Sequence, residues 1–137
     1  MRTFFDSSAF VKRYIDEHGS QDVDNLCVKS TMVGIGVICI PEIVSALNRR
    51  RREKSLSHQD YAIIKQRFAE DVRDAAVVNL TQTVLSATIT ILETSPSRAM
   101  DALHVACAIE WKAELFVSAD KEQITAAKKA GLRTELV

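Results

Sequence analysis

Glycine and proline are scarce in this chain, with four and two residues among 137. Collagen-like repeats and low-complexity linkers, which are rich in both, are excluded. Net charge is missing as well, because eighteen Lys and Arg balance eighteen Asp and Glu. No global positive field marks the chain for nucleic acid or an anionic membrane, so any such contact must be local. Cysteine is limited to Cys27, Cys39 and Cys107, an odd number without C-x-x-C spacing. All three lie among apolar neighbours and read as small buried hydrophobes in a reducing compartment. No uncharged apolar run approaches the roughly 18 residues of a bilayer-spanning helix. Met1-Arg2-Thr3 reaches Asp6 without a signal-peptide pattern. The expectation is a small soluble protein of the cytoplasm with no membrane partner. What is present is 47% apolar and 26% charged residues, enough for a real core and expected to make one domain over residues 1–137.

Short apolar runs alternate with longer helical stripes. Residues 2–6 form a β-prone run, after which Ser7 and Ser8 offer hydroxyl caps for a helix expected to end at Gly19. A short helix over 20–29 precedes the continuously apolar, β-branched run 32–40, read as a strand covered on both faces. Pro41 suits a first helical position, and that helix is expected to reach about Ser55. The S-x-x-D box Ser57–Asp60, with Leu56 and Tyr61 as a hydrophobic staple, starts another helix. Strand 76–80, helix 81–93, a turn at 94–97 and a helix from 98 to about 112 follow. Strand 115–117, a helix over about 120–130, a Gly131 stop and a last strand near 132–136 complete the pattern. Strands that alternate with helices, and that lack polar/apolar alternation, predict a three-layer α/β/α sandwich on a central, mostly parallel sheet. In such a sheet the strands' C-terminal ends share one edge, where ligands bind.

Carboxylates gather at that edge. Asp6 ends the first strand, Glu42 opens the helix after the second, and Asp120 follows the fourth. Each has an ordinary structural reading as a helix cap or dipole partner, and Asp120 with Gln123 forms a D-x-x-Q box. Asp101 is harder to explain so. It shares a stripe with Val105 and Ala108 in a helix apolar on nearly every side, and an unpaired buried carboxylate calls for a cation. Arg98, three residues earlier, is one source. A divalent ion is another, since converging carboxylates repel one another and raise each other's pKa. Oxygen-only ligands suit Mg²⁺ or Mn²⁺ rather than zinc, and such ions serve phosphodiester chemistry.

The four positions carry a family resemblance. Phe5-Asp6-Ser7-Ser8-Ala9-Phe10-Val11-Lys12-Arg13-Tyr14 resembles the opening motif of PIN domains, above all the VapC-type ribonuclease toxins of toxin–antitoxin pairs. Pro41-Glu42-Ile43-Val44-Ser45-Ala46-Leu47 is similar to the second motif, Met100-Asp101-Ala102-Leu103-His104-Val105-Ala106 to the third and Phe116-Val117-Ser118-Ala119-Asp120 to the fourth. The ordered set spans nearly the whole chain. The resemblance implies a metal-dependent endoribonuclease. Asp6 and Asp101 would be its principal Mg²⁺ or Mn²⁺ ligands, with Glu42 and Asp120 binding directly or through water. It also implies cleavage by water to 5′-phosphate and 3′-hydroxyl ends, a hydroxyl of Ser118 supporting the acids, a homodimer, and a cognate VapB-like antitoxin. Ser8 either supports the acids likewise or caps its helix.

Arg49-Arg50-Arg51-Arg52 reads as a solvated basic helix end favoured by the dipole, or as a local patch for RNA phosphates, with Arg49 and Arg50 as candidate contacts. Lys12 and Arg13 begin nearer the acids and are candidates for the same task. His104, one turn after Asp101, reads as a satisfied core histidine or a contact of that acid. Trp111 reads as packing. Two rivals stand beside the nuclease: a catalytically silent binding module of the same fold, and a receiver-type signalling domain. The latter needs an acidic pair after the first strand, where this chain has one acid.

Overall fold

The strand runs and helical stripes assemble as a single sheet between two layers of helices. The structure is a computed structural model describing all 137 residues. Five strands, β1 (Arg2–Phe5), β2 (Met32–Gly36), β3 (Ala76–Val78), β4 (Leu115–Ser118) and β5 (Thr134–Leu136), lie in the order β3-β2-β1-β4-β5. Every neighbouring pair is parallel. The helices are α1 (Ser7–Phe10), α2 (Ser20–Lys29), α3 (Cys39–Arg52), α4 (His58–Asp74), α5 (Gln82–Thr94), α6 (Ala99–Glu110) and α7 (Lys121–Lys129). This is the expected three-layer α/β sandwich.

Strand periodicity explains the layers. Successive side chains of β1 and β4 point to opposite faces. Phe5, Leu115 and Val117 therefore join a core with α1–α4 residues such as Phe10, Val23, Ile43 and Phe68. Phe4 and Phe116 join a second core with Val84, Ile91, Val105 and Ala127 of α5–α7. Phe4 and Phe116 stack with ring centroids 5.8 Å apart. Burying an aromatic ring of this size stabilises the fold by about 2–3 kcal/mol, so these central strands anchor the edge that carries the acids. At Gly34 a Cβ would lie 2.6 Å from the Trp111 ring. Only glycine lets β2 pass under that indole, which also packs on Phe4 and beneath the Arg2 guanidinium.

Several boundaries differ from the sequence reading, two of them by most of an element. The first helix stops at Phe10 and tightens into a 3₁₀ turn, Val11–Arg13, instead of reaching Gly19. Its end is held sideways: the Tyr14 hydroxyl donates to Asp71 of α4 at 2.6 Å, and Arg13 pairs with Asp24 and Asp71 at 3.4 Å each. The apolar run 32–40 changes element midway, with β2 ending at Gly36 and α3 starting at Cys39. A fully buried run has no periodicity to separate strand from helix. Pro41 thus occupies the third position of α3, still within the turn whose N–H groups lack intrahelical acceptors, and α3 stops at Arg52, short of Ser55. Ser57 caps α4 as expected, accepting from the Asp60 N–H, and Thr81 caps α5.

Candidate functional site

Parallel pairing puts the C-terminal ends of β1 and β4 side by side, so Asp6 and Ser118 meet although 112 residues apart in sequence. Asp6, not Ser7 or Ser8, caps α1: its Oδ1 accepts from the Ala9 N–H at 3.0 Å. The same oxygen accepts from Ser8 Oγ at 2.7 Å, and Oδ2 accepts from Ser118 Oγ at 2.6 Å. Ser8 and Ser118 in turn accept the N–H groups of Ala119 and Asp120, both at 3.0 Å. The two hydroxyls therefore clamp the β4–α7 corner onto Asp6, and Ser8 supports the acid instead of capping. Asp6 is 3% exposed. Burial pushes its carboxyl above the usual range, although the Ser118 bond, the charge on His104 and the Ser8 and Ala9 bonds oppose this.

Glu42 lies in the first turn of α3 and is half-buried. Its Oε1 receives His104 Nε2 at 2.6 Å and Ser7 Oγ at 2.8 Å. His104 is thus a satisfied core histidine on one nitrogen only, and its partner is Glu42. Its Nδ1 is buried without a partner, and because a carboxylate oxygen can only accept, Nε2 carries a proton toward Glu42. Burial alone would raise the Glu42 carboxyl, but the His104 bond, its charge and the Ser7 bond together hold it below the ordinary value. Ser7 is a site contact that motif spacing did not reveal, and for His104 the spacing pointed to Asp101 where the structure gives Glu42. Glu42 and His104 are 62 residues apart, and only the packing of α6 against β2 brings them together.

Asp101 stands in the first turn of α6 and is half-exposed, not buried as its stripe suggested. The ion pairs of the chain use Glu17, Asp24, Glu42 and Asp71, so Arg98 does not neutralise Asp101. Partial burial raises its carboxyl, and the negative charges of Asp120 and Glu42 push the same way, while His104 and Arg98 pull against them. Asp120 is exposed and caps α7, but through the Glu122 N–H at 2.9 Å. The D-x-x-Q box does not close. Gln123 is buried, and its Nε2 donates instead to the Asp101 backbone carbonyl at 3.0 Å, tying α7 to the acidic turn of α6.

The donor set suits a hard divalent ion: carboxylates only, with those of Asp101 unbonded and one oxygen each of Glu42 and Asp120 uncommitted. The repulsion felt by Asp101 is what a cation would relieve. As the side chains stand, no three of the acids, histidines or cysteines converge on one ion-sized point. Two grooves flank the acids. One, of about 390 Å³, runs beside α3 from Glu42 and Met100 to Arg49 and Arg52. The other, of about 300 Å³, is lined by Ser95, Ser97, Arg98, Asp101, Gln123 and Thr125 among others.

The cations singled out from sequence divide. Lys12 is buried, bonded to the His18 carbonyl and 3.7 Å from Glu17. Arg13 belongs to the Asp24–Asp71 cluster described above, and Arg50 pairs with Glu17 at 3.4 Å. Arg49 is exposed and makes no ion pair.

The family model of the PIN domain matches residues 3–129 of the chain. No curated protein matches it. Among solved structures, VapBC2 from Rickettsia felis, bound to a DNA fragment from its promoter, superposes with a TM-score of 0.71 at 12% identity, covering 100% of this chain and 99% of that one. VapC20 of Mycobacterium tuberculosis, described as a sarcin–ricin loop cleaving toxin, gives 0.68 at 15% identity over 90% and 94%. VapBC-1 from nontypeable Haemophilus influenzae gives 0.71 at 10% identity over 99% and 98%. At these identities the likeness establishes the fold.

Proposed function

Because this chain belongs to the PIN domain family, we propose that it is an endoribonuclease dependent on Mg²⁺ or Mn²⁺ and the toxin of a type II toxin–antitoxin pair. One observation carries the reading. Asp101 is an unpaired carboxylate whose pKa is raised by partial burial and by the charges of Asp120 and Glu42, at the sheet edge that also holds Asp6. A fold gains nothing from such crowding unless something positive is meant to sit there.

Asp101 and Asp6 would be the principal ligands of the ion, with Glu42 and Asp120 completing the set directly or through water. The bound ion supplies Lewis-acid activation of water and of a phosphoryl oxygen. The chain's own residues do the rest. Ser8 and Ser118 fix the rotamer of Asp6, and His104 with Ser7 holds one oxygen of Glu42, leaving the other uncommitted. Gln123 holds the α6 turn that presents Asp101. A substrate of RNA, a homodimer, a VapB-like antitoxin and a cytoplasmic location complete the proposal. The toxin–antitoxin nature of the structural relatives supports the partner. No helix is long and apolar enough to cross a membrane.

The test is cleavage of a mixture of transfer and ribosomal RNA by the purified chain. Cutting with Mn²⁺, its loss in EDTA and its loss in Asp101→Asn are expected. The lack of three convergent ligand groups favours one rival, a silent binding module. RNA or partner binding without cutting, at any divalent ion concentration, would establish that rival.

A further inference from the structure

Four arginines in a row at the end of α3 look alike in sequence and differ in the fold. Arg50 and Arg51 are half-buried. Arg50 pairs with Glu17 at 3.4 Å, and the Arg51 guanidinium lies 4.6 Å from the centre of the Tyr61 ring. These two fasten α3 to its neighbours. Arg49 and Arg52 are exposed, make no ion pair, and line the groove that begins at Glu42. Helical periodicity explains the division. At 100° per residue Glu42, Ser45, Arg49 and Arg52 fall on one side of α3, whereas Arg50 and Arg51 turn away from it.

We propose that this groove is the track for single-stranded RNA and that Arg49 and Arg52 hold phosphates flanking the one placed at the acids. The assignment rests on the ribonuclease reading for its substrate class, and the geometry picks Arg49 and Arg52 out of the four arginines. A polyanion approaching four carboxylates on a chain without net charge is repelled unless cations stand beside the site. Lys12, Arg13 and Arg50 are committed to carboxylates of the chain itself. Arg49 and Arg52 are uncommitted, and they lie along the same groove as Glu42. Seven and ten residues of helix put their backbones about 10 and 15 Å from that of Glu42 along α3, a distance that long side chains and neighbouring phosphates can span. Ser45, an exposed residue, lines the groove between Glu42 and Arg49.

The salt dependence of binding reads this directly. Each phosphate neutralised on a single strand contributes about −0.7 to the slope of log K against log salt. A fluorescent dodecamer of mixed RNA sequence is titrated with the full chain in EDTA, so that cutting does not intervene. Arg49→Gln with Arg52→Gln is expected to flatten the slope by about 1.4 and to weaken binding about 25-fold at 0.1 M salt. Both residues are exposed, so the melting temperature should stay within about 3 °C of the parent. Lysine at both positions should restore the slope, since a point charge on a phosphate suffices. Arg50→Gln with Arg51→Gln should leave the slope unchanged.

Equal slopes for the parent and the Arg49/Arg52 variant, or no RNA binding by the parent, overturn the track. So does preferential binding of a polyglutamate peptide by the same two arginines, which would make the groove a dock for an acidic protein segment. The two readings fail separately. A lost slope in a chain that never cuts RNA with Mn²⁺ leaves the track standing and removes the nuclease. Mn²⁺-dependent cutting with an unchanged slope does the reverse.

Discussion

At one end of the acidic cluster Asp6 is 3% exposed and its carboxylate receives three hydrogen bonds; at the other, Asp101 is half-exposed and its carboxylate receives none. Both carboxyls sit above their ordinary pKa, and for both burial is the first cause. The remaining influences oppose one another. Around Asp6, Ser118, His104, Ser8 and Ala9 all favour the charged form, whereas around Asp101 the charges of Asp120 and Glu42 disfavour it against the opposite pull of His104 and Arg98. Asp6 is therefore part of the architecture, a peg on which β1, α1 and the β4–α7 corner are hung. Asp101 is a charge the fold tolerates. Two acids proposed as ligands of one ion need not share a structural role, and substitutions should separate the two.

Asp6→Ala has the largest expected effect. It removes the cap of α1 and strands the Ala9 N–H, while Ser8 and Ser118 can partly turn to each other across their 3.2 Å separation. Losing the cap and the charge-assisted bonds costs about 3 kcal/mol, roughly 10 °C in thermal denaturation of a chain this size. Asp6→Asn keeps the Oδ1 acceptor for Ser8 and Ala9, and its amide can donate to Ser118 Oγ. It should lose less than about 1 kcal/mol while abolishing RNA cleavage as completely as alanine. Equal melting temperatures for the two variants would show that Asp6 is no peg.

Ser118→Ala is the intermediate case. The hydroxyl is fully buried, and its loss leaves Asp6 Oδ2 without a donor and the Asp120 N–H without an acceptor. The expected loss is about 2 kcal/mol. Because the Ser118 bond is the strongest influence lowering the Asp6 carboxyl, that pKa should rise further, and cleavage should need a higher pH for half-maximal rate. A lower stability with an unmoved pH profile would separate the structural part of the bond from its electrostatic part.

How far these differences could be read in advance depends on the range of the interactions. Alternating apolar runs and stripes are local, and they gave the strands, the layers and the edge where Asp6, Glu42, Asp101 and Asp120 lie. The break after Phe10 was hidden because it depends on Tyr14 and Arg13 reaching Asp71, some 57 residues away in sequence. The strand-to-helix change near Gly36 was hidden because a run buried throughout has no periodicity. At the site, the acids were legible as types at strand ends, but the Glu42–His104 pair and the Gln123 bond to Asp101 depend on how α6 packs against β2 and α7. The same limit applies to the arginines: four identical neighbours are told apart only by Glu17 and Tyr61.

Asp101→Asn is the smallest effect in stability and the most diagnostic in sign. A carboxyl with a folded pKa above its unfolded value of about 3.8 binds its proton more tightly in the folded chain. The stability this gives is complete below pH 3.8 and is lost as pH rises through the raised folded value. At neutral pH the charge is then a liability, and asparagine does not carry it. Since Asp101 is half-exposed, solvent screening limits the gain to about 0.5 kcal/mol, near 2 °C at pH 7. At pH 3 the gain should vanish, because both chains are then neutral at this position. Added Mn²⁺ should reverse the order at pH 7. An ion at tenfold its dissociation constant raises the parent by about 1.4 kcal/mol, while the variant, short of one proposed ligand, should respond little. Thermal melts of the two chains at both pH values, with and without Mn²⁺, read all of this at once. A variant less stable than its parent in EDTA at pH 7 would mean that Asp101 has a partner in the folded chain, and the contrast with Asp6 would fail.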